Sequence, residues 1–490
     1  MREKPTNSER ITGAAAHAGT PGHKLYSSQS ARAQEAQASQ QLPPHTLMQR
    51  AGLAVAKQAL AMAPHARRIW IACGPGNNGG DGYEAAIHLK QWGKQPVVTQ
   101  LGSADAALPP DAAAARQRAQ NAGVEFSNTV PDAYDLCIDA LFGIGPLRPF
   151  DAQCCSWIRR INAKTAPILA VDVPSGLNAD TGAGATLHVK ADITLSLLTL
   201  RPGLFTGDGR AACGELWLNT LDVDAPMQAC AQLNSAPAAM QRAHNTHKGS
   251  YGDVCIVGGS HGMTGAAILA ARAALHAGAG RVYVGLLDPA PTTALDICQP
   301  ELMFRALSAL AYQSSVVVAG CGGGERIYGQ LSDIVQRAAQ LVLDADAINA
   351  LATDRTLQIL LAARPAHTTV LTPHPLEAAR LLACSTADIQ AHRLDVAQKL
   401  ADRFASTVVL KGSGSIVAAP SELPRVNTSG NARLATAGTG DVLAGLIGAR
   451  MAAGAPAFMA AYESVYIHGA LADVWDGTRS MTAQDLVHAL

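Results

Sequence analysis

A chain of 490 residues is too long for one ordinary core, and its length suggests two or three domains. Hydrophobic residues at 48%, aromatics at only 4% and 45 glycines suit helices packed closely on parallel sheets, not a β-sandwich. The 38 basic residues balance the 38 acidic ones, which argues against a nucleic-acid or membrane-surface partner.

The ten cysteines have no Cys-x-x-Cys spacing and no histidine at zinc spacing, so neither a disulfide framework nor a zinc site is implied. The first twenty residues lack a signal-peptide core and no later run is apolar for 18 residues, so a cytoplasmic protein is expected.

Residues 1–22 are polar and aperiodic and predict a disordered leader. Helices are expected over Gln29–Gln40 and Thr46–Ala63, the second with Leu47, Ala51, Ala54 and Val55 on one face. Short apolar runs then alternate with helical lengths: Arg68–Cys73, Val97–Leu101, Asp135–Phe142, Ile168–Val173 and Ile193–Leu198. A second series follows at Val254–Val257, Val282–Leu286, Val316–Ala319, Leu341–Leu343, Thr369–Leu371 and Val408–Leu410. Both series carry the βαβ signature of a buried parallel sheet. The aperiodic stretch 224–243 is the predicted linker, which places one α/β domain at 23–223 and another at 244–490.

In the first domain, strand Arg68–Cys73 runs into Gly74-Pro75-Gly76-Asn77-Asn78-Gly79-Gly80-Asp81-Gly82, with a helix expected from Tyr83 to Lys90. Glycines between strand and helix make a backbone-lined pocket at the carboxyl end of a sheet, where open α/β folds bind ligands. A plain flexible turn is the competing reading, weakened by two asparagines and an aspartate able to ligate a cation or hold a ribose or amide. Asp139 and Asp172 end two further strands, the latter within Val171-Asp172-Val173-Pro174-Ser175-Gly176. Either could be a simple turn former.

These motifs, with Asp139-Ala-Leu-Phe-Gly-Ile-Gly145, resemble the NAD(P)H-hydrate epimerase family over roughly residues 24 to 220. Leu25-Tyr26, Arg32, Glu35 and Leu47-Met48 look like its amino-terminal segment. The resemblance implies a Rossmann-like three-layer α/β/α domain. It assigns hydrated nicotinamide nucleotide to Asn77, Asn78, Gly79, Gly80, Asp81, Gly143, Ile144, Gly145, Pro146, Leu147, Arg148, Pro149 and Asp172. It also assigns K⁺ to Asn78, Asp139 and Ser175. Epimerisation needs the hydroxyl beside the ring nitrogen to leave and water to re-add, and Asp172 is the candidate for that proton transfer.

In the second domain the strongest signal is Ala437-Gly438-Thr439-Gly440-Asp441-Val442-Leu443-Ala444. Glycines that permit positive φ open an apolar helix whose free N–H groups attract an anion. A carboxylate there is unwelcome unless it moves a proton, so Asp441 reads as a base. Lys411-Gly412-Ser413-Gly414-Ser415 offers donors only and suits nucleotide phosphate, with a hairpin turn and surface lysine as the alternative. His374 lies between two prolines, and Cys321 reads as bystander packing.

Together these stretches resemble the ADP- or ATP-dependent NAD(P)H-hydrate dehydratases of the ribokinase-like fold, over about residues 240 to 490. The resemblance implies nucleotide phosphates at Lys411 to Ser415 and Gly440, with Mg²⁺ accompanying ADP. It places hydrated nicotinamide at Ala266, a glycine of the Gly322 to Gly324 turn, His374 and Asp441. Gly320-Cys321-Gly322-Gly323-Gly324 departs from the expected Gly-Pro-Gly-Leu-Gly and predicts a looser backbone.

Both modules in this order resemble the bifunctional NAD(P)H-hydrate repair enzymes. The first would interconvert the R and S hydrates, and the second would dehydrate the S form with ADP, giving AMP and phosphate. Hydrated NADH or NADPH and ADP are the expected partners, and a homo-oligomer the expected assembly. The alternative is a vitamin-precursor alcohol kinase fused to a non-catalytic binding domain.

Overall fold

A computed structural model of the chain describes residues 8–11, 22–102, 107–224, 228–238, 244–288 and 295–490. It divides into two compact units, the first built mainly on His23–Ala231 and the second on Gln232–Leu490.

The first unit's sheet runs, edge to edge, Glu9–Ile11, Glu215–Asn219, Ile193–Leu197, Ile168–Val171, Leu136–Ala140, Arg68–Cys73, Gln95–Gln100 and Glu125–Ser127. All neighbours are parallel except the Glu9–Ile11 edge. Strand order reverses beside Arg68–Cys73, whose chain neighbour Gln95–Gln100 lies on one side while Leu136–Ala140 lies on the other. Such a reversal opens a crevice at the carboxyl ends of the strands. Helices Ser28–Gln41 and Thr46–Met62 form as predicted to within two residues.

Two expectations about chain organisation need correction. Within the predicted leader, Glu9–Ile11 is a strand antiparallel to Leu216–Leu218, with Ile11 buried and Arg10 paired to Glu215 at 2.8 Å. A three-residue strand is fixed by its partner, so its own sequence carries no period; residues 1–7 and 12–21 lie outside the described residues. Within the predicted linker, Ala231–Leu233 pairs in parallel with Arg425–Val426. Asn234 Nδ2 then donates to Asn427 Oδ1 at 3.1 Å and to the Tyr462 carbonyl at 2.6 Å. Residues 225–227 and 239–243 of that linker lie outside the described residues.

The second unit's sheet runs Met303–Phe304, Arg281–Leu286, Asp253–Gly258, Val316–Ala319, Gln340–Leu343, Thr369–Leu371 and Thr407–Leu410 in parallel. Antiparallel Ile416–Ala418 and Arg425–Val426 extend it. Central strands such as Val316–Ala319 and Thr407–Leu410 are buried at every residue, as a sheet covered on both faces requires.

Helix Thr439–Ala452 packs on helix Thr264–His276 so closely that a Cβ on Gly445 would stand 2.0 Å from the Ala270 carbonyl oxygen. Gly445→Ala should therefore cost about 1–3 kcal/mol through overpacking. The check is the thermal midpoint. Among the described residues no helix is long and apolar enough to cross a membrane.

Candidate active sites

In the first unit the glycine motif is less a loop than a helix start: the helix runs Asn77–Gln91, six residues earlier than the sequence suggested. The reason is packing. A Cβ on Gly79 would lie 2.1 Å from the Gly74 carbonyl oxygen, on Gly80 2.6 Å from Met48, and on Gly82 2.8 Å from Ala140. These glycines let the helix press against the sheet and Thr46–Met62, and none of the three has positive φ.

What the early helix start leaves open is a cavity of about 690 Å³. Asn77, Asn78, Asp81, all of Gly143 to Pro149, and Asp172 line it, so most of the predicted substrate residues converge. Gly79 and Gly80 do not line it. Asn78 Nδ2 is buried without a hydrogen-bond partner, which leaves a donor for a ligand.

Asp172 sits at the end of Ile168–Val171 with φ of +66°, and its carboxylate is fixed by a residue the motif reading missed. Arg201, also in the wall, brings Nη1 to 2.9 Å from Oδ1 and Nη2 to 3.4 Å from Oδ2. It also donates to Ser196 Oγ and the Leu197 carbonyl at 3.0 Å, and to the Thr199 carbonyl. The sequence signal was a lone cation in Thr199-Leu200-Arg201-Pro202-Gly203, just past an apolar strand. Burial raises the Asp172 pKa against the opposing pull of Arg201. Asp81 is pushed well above the carboxylate range, first by burial and then by Glu35, Asp172 and Glu84.

Asp139 and Ser175 are fully buried behind the cavity wall. Ser175 Oγ donates to Asp139 Oδ1 at 2.6 Å, and the Ser175 and Leu141 N–H groups donate to the same carboxylate at 2.9 and 3.2 Å. Burial outweighs these bonds and lifts Asp139 to about 6. A buried carboxylate stabilised only by neutral donors suits a bound monovalent cation, and the donor set here is all oxygen.

In the second unit Asp441 is the third residue of helix Thr439–Ala452. Gly438 has φ of +87°, whereas Gly440 is helical, so only the first glycine needs its conformational freedom. Gly440 instead leaves space: a Cβ there would meet Lys411 Nζ at 3.4 Å and Asp344 Oδ2 at 3.9 Å. Asp441, Asp344 and Cys321 bring their side-chain ligand atoms within 4.8 Å of one another. Burial, then the charge of Asp344, raises Asp441 to about 7, while a hydrogen bond from the Cys321 thiol works the other way. Cys321 is thus a neighbour of Asp441 and not mere packing. Neutral His468, held near pKa 4 by burial, has Nε2 2.9 Å from the Thr439 carbonyl oxygen at the helix start.

Lys411 joins the two readings of its motif. The Gly412–Ser415 turn does connect antiparallel strands Thr407–Leu410 and Ile416–Ala418, yet Lys411 points inward, with Nζ 2.7 Å from Asp344 Oδ1. Burial would lower its pKa, and Asp344 and Glu377 reverse that. The turn is fastened by Arg393, missed in the sequence, whose guanidinium donates to the carbonyls of Leu410, Lys411 and Gly414 at 3.2–3.4 Å. Within the turn, Ser415 Oγ donates to the Gly412 carbonyl at 3.2 Å.

His374 N-caps helix Pro375–Leu382: Nδ1 accepts from the Leu376 and Glu377 N–H groups, and Nε2 lies 3.2 Å from Glu377 Oε1. Its nitrogens are occupied by the cap, leaving the ring face to a ligand. Ala266 and Gly322 are adjacent, a Cβ on Gly322 falling 2.9 Å from that of Ala266. The Gly320–Gly324 turn is pinned where looseness was expected: Ser260 N–H donates to the Gly322 carbonyl at 2.7 Å and Gly324 N–H to Asp346 Oδ2 at 2.8 Å. Positive φ at Gly320, Gly322 and Gly324 explains why glycine is required.

Two family models match in the same order as the units: YjeF-related protein N-terminus over residues 44–203, and NAD(P)H-hydrate dehydratase over 254–490. A bifunctional NAD(P)H-hydrate repair enzyme of Escherichia coli (strain K12) is 38% identical over 91% of this chain and 88% of its own. The chain belongs to the bifunctional NAD(P)H-hydrate repair enzyme family. Another member, from Leishmania braziliensis, is 36% identical across 92% of this chain and 90% of its own. A Bacillus subtilis ADP/ATP-dependent NAD(P)H-hydrate dehydratase, co-crystallized with ATP/Mg²⁺, is 29% identical, covering 51% of this chain and 90% of its own at a TM-score of 0.43. Within this repair family the cavity at Asp172 belongs to the YjeF-related module and the Asp441 cluster to the dehydratase module.

Proposed function

We propose that the first unit interconverts the R and S hydrates of NADH and NADPH and that the second converts the S hydrate to the reduced nucleotide with ADP, releasing AMP and phosphate. The observation that carries the second half is Asp441, poised near neutral pKa beside Asp344 and Lys411 with Gly440 leaving a gap among them. Asp441 takes the proton of the ring hydroxyl as its oxygen attacks the terminal phosphorus and AMP departs. Loss of phosphate from that carbon and of a proton from its ring neighbour restores the dihydropyridine. Lys411, the Gly412–Ser415 turn and the start of helix Thr439–Ala452 supply the positive environment for the phosphates.

Mg²⁺ arriving with ADP would need only one or two carboxylates beside phosphates and water, and Asp344 can offer one; it would neutralise phosphate charge. K⁺ would be held by Asn78, Asp139 and Ser175, where it would compensate the buried Asp139 charge.

The test is incubation of mixed hydrated NADH epimers with ADP or ATP, following reduced-nicotinamide absorbance and released phosphate. Complete consumption of both epimers with equimolar phosphate is expected; a stable phosphorylated product without NADH would establish a kinase instead. Replacing K⁺ by tetramethylammonium should slow consumption of the R epimer selectively, and equal rates would remove K⁺ from the reading. Asp172→Asn should leave the R epimer to its uncatalysed rate, whereas an unchanged rate would reduce the first unit to a binding module.

A further inference from the structure

The first unit's cavity contains an acidic side chain that the motifs do not explain. Helix Ser28–Gln41 buries Ser28, Ala31, Gln34 and Ala38 against the unit. Arg32, Glu35 and Ser39, spaced i, i+3 and i+7, line the cavity instead. Arg32 is committed to the wall, donating to the Ile144 carbonyl at 2.6 Å. Glu35 is different: half-buried, it makes no hydrogen bond or ion pair among the described residues. Its charged neighbours are Asp172, Arg201, Asp111 and Arg32, and Asp81 in turn feels its charge. Burial, then Asp172, holds the Glu35 carboxyl above its ordinary range, so it carries a proton more readily than a surface glutamate does.

Asp172 cannot serve alone. Its two oxygens are held by Arg201 and by the Leu197 N–H at 3.2 Å, on a backbone at φ of +66°, so it cannot swing around a ring to reach both faces. Inversion of the hydroxyl-bearing carbon needs proton transfer on each face. We propose that Glu35 is the second acid–base group of the epimerisation, acting on the face of the hydrated ring that Asp172 does not reach.

This rests on the epimerase reading of the first unit. On one face an acid protonates the hydroxyl, the C–O bond breaks, water leaves, and the ring nitrogen's electron pair forms an iminium. On the other face water adds to that carbon while the second carboxylate takes its proton. One water leaves and one enters, no redox partner is needed, and a proton has moved from one carboxyl to the other. The proton returns by exchange with water between turnovers.

The experiment uses the full chain without ADP and each hydrated NADH epimer labelled with ¹⁸O at the ring hydroxyl. Label loss is read by mass spectrometry and inversion by chromatography. The wild type should couple label loss to inversion for both epimers. Glu35→Gln should lower inversion by roughly a hundredfold or more in both directions. One epimer, whose hydroxyl faces Asp172, should still lose label with retention of configuration. Asp172→Asn should give the mirror image, with label loss confined to the other epimer, and Glu35→Asp should recover part of the inversion. A supporting role for Glu35 cannot produce that mirror pattern. Wild-type inversion in Glu35→Gln overturns the proposal, as does equal suppression of label loss from both epimers. Normal inversion in Asp172→Asn also overturns the proposal, whereas a wild type that inverts neither epimer above the uncatalysed rate overturns the epimerase reading itself.

Discussion

Asp441→Asn is expected to abolish ADP-dependent dehydration, lowering kcat by roughly a hundred- to ten-thousand-fold, while leaving ADP affinity unchanged or slightly improved. The asymmetry follows from charge. Asp441 stands at the start of helix Thr439–Ala452 beside Asp344, where the proposed function seats the phosphates, so its negative charge would oppose nucleotide binding. Removing it cannot weaken ADP electrostatically, but it deletes the only role that justifies a carboxylate there, accepting the hydroxyl proton. Steady-state kinetics on the S hydrate with calorimetric ADP titration separates the two. A loss of ADP affinity as large as the loss of rate would make Asp441 a nucleotide or metal ligand instead.

The same residue sets a pH limit. Burial first, and then Asp344, holds Asp441 near pKa 7, and a base works only when ionised. The dehydration rate should therefore rise as pH increases through about 7 and level off above it. A wild-type profile that is flat down to pH 5 would show that the functional base is another group.

Much of this was legible from residue order, because a buried parallel strand writes itself as a short apolar run whatever its partners. Val316–Ala319 and Thr369–Leu371 were readable to the residue for that reason. Edge elements were not: Glu9–Ile11 and Ala231–Leu233 are strands only because Leu216–Leu218 and Arg425–Val426 lie beside them. The glycines of Gly79-Gly80-Asp81-Gly82 announced a site, but their cause is close packing on Gly74, Met48 and Ala140, a property of the fold and not of the loop. Partners of charged groups were the least legible. Asp172 was found from its motif, while Arg201, twenty-nine residues later, became visible only once the Ile193–Leu197 strand placed it there. Asp344 likewise gains its place only from the fold, which rests Lys411 on it.

Arg201→Met should destabilise the first unit by about 3–5 kcal/mol, equivalent to roughly 6–20 °C in its thermal midpoint. Both partners are almost fully enclosed, with side-chain exposures of 2% and 10%. Methionine would leave the Asp172 carboxylate buried without a counter-charge, and would strip donors from Ser196, Leu197 and Thr199. The pH dependence has a definite sign. Burial already raises the Asp172 pKa, and losing Arg201 raises it further, so the folded state binds the proton more tightly than the unfolded one. Stability must then fall as pH rises from the ordinary aspartate value toward the raised one, making the variant weaker at pH 8 than at pH 5. Adding Asp172→Asn removes the stranded charge and should restore part of the loss, because two neutral side chains cost less than one unpaired ion. If the double variant is less stable than Arg201→Met at pH 8, the carboxylate is not the source of the penalty, and Arg201 acts through its carbonyl and hydroxyl contacts alone.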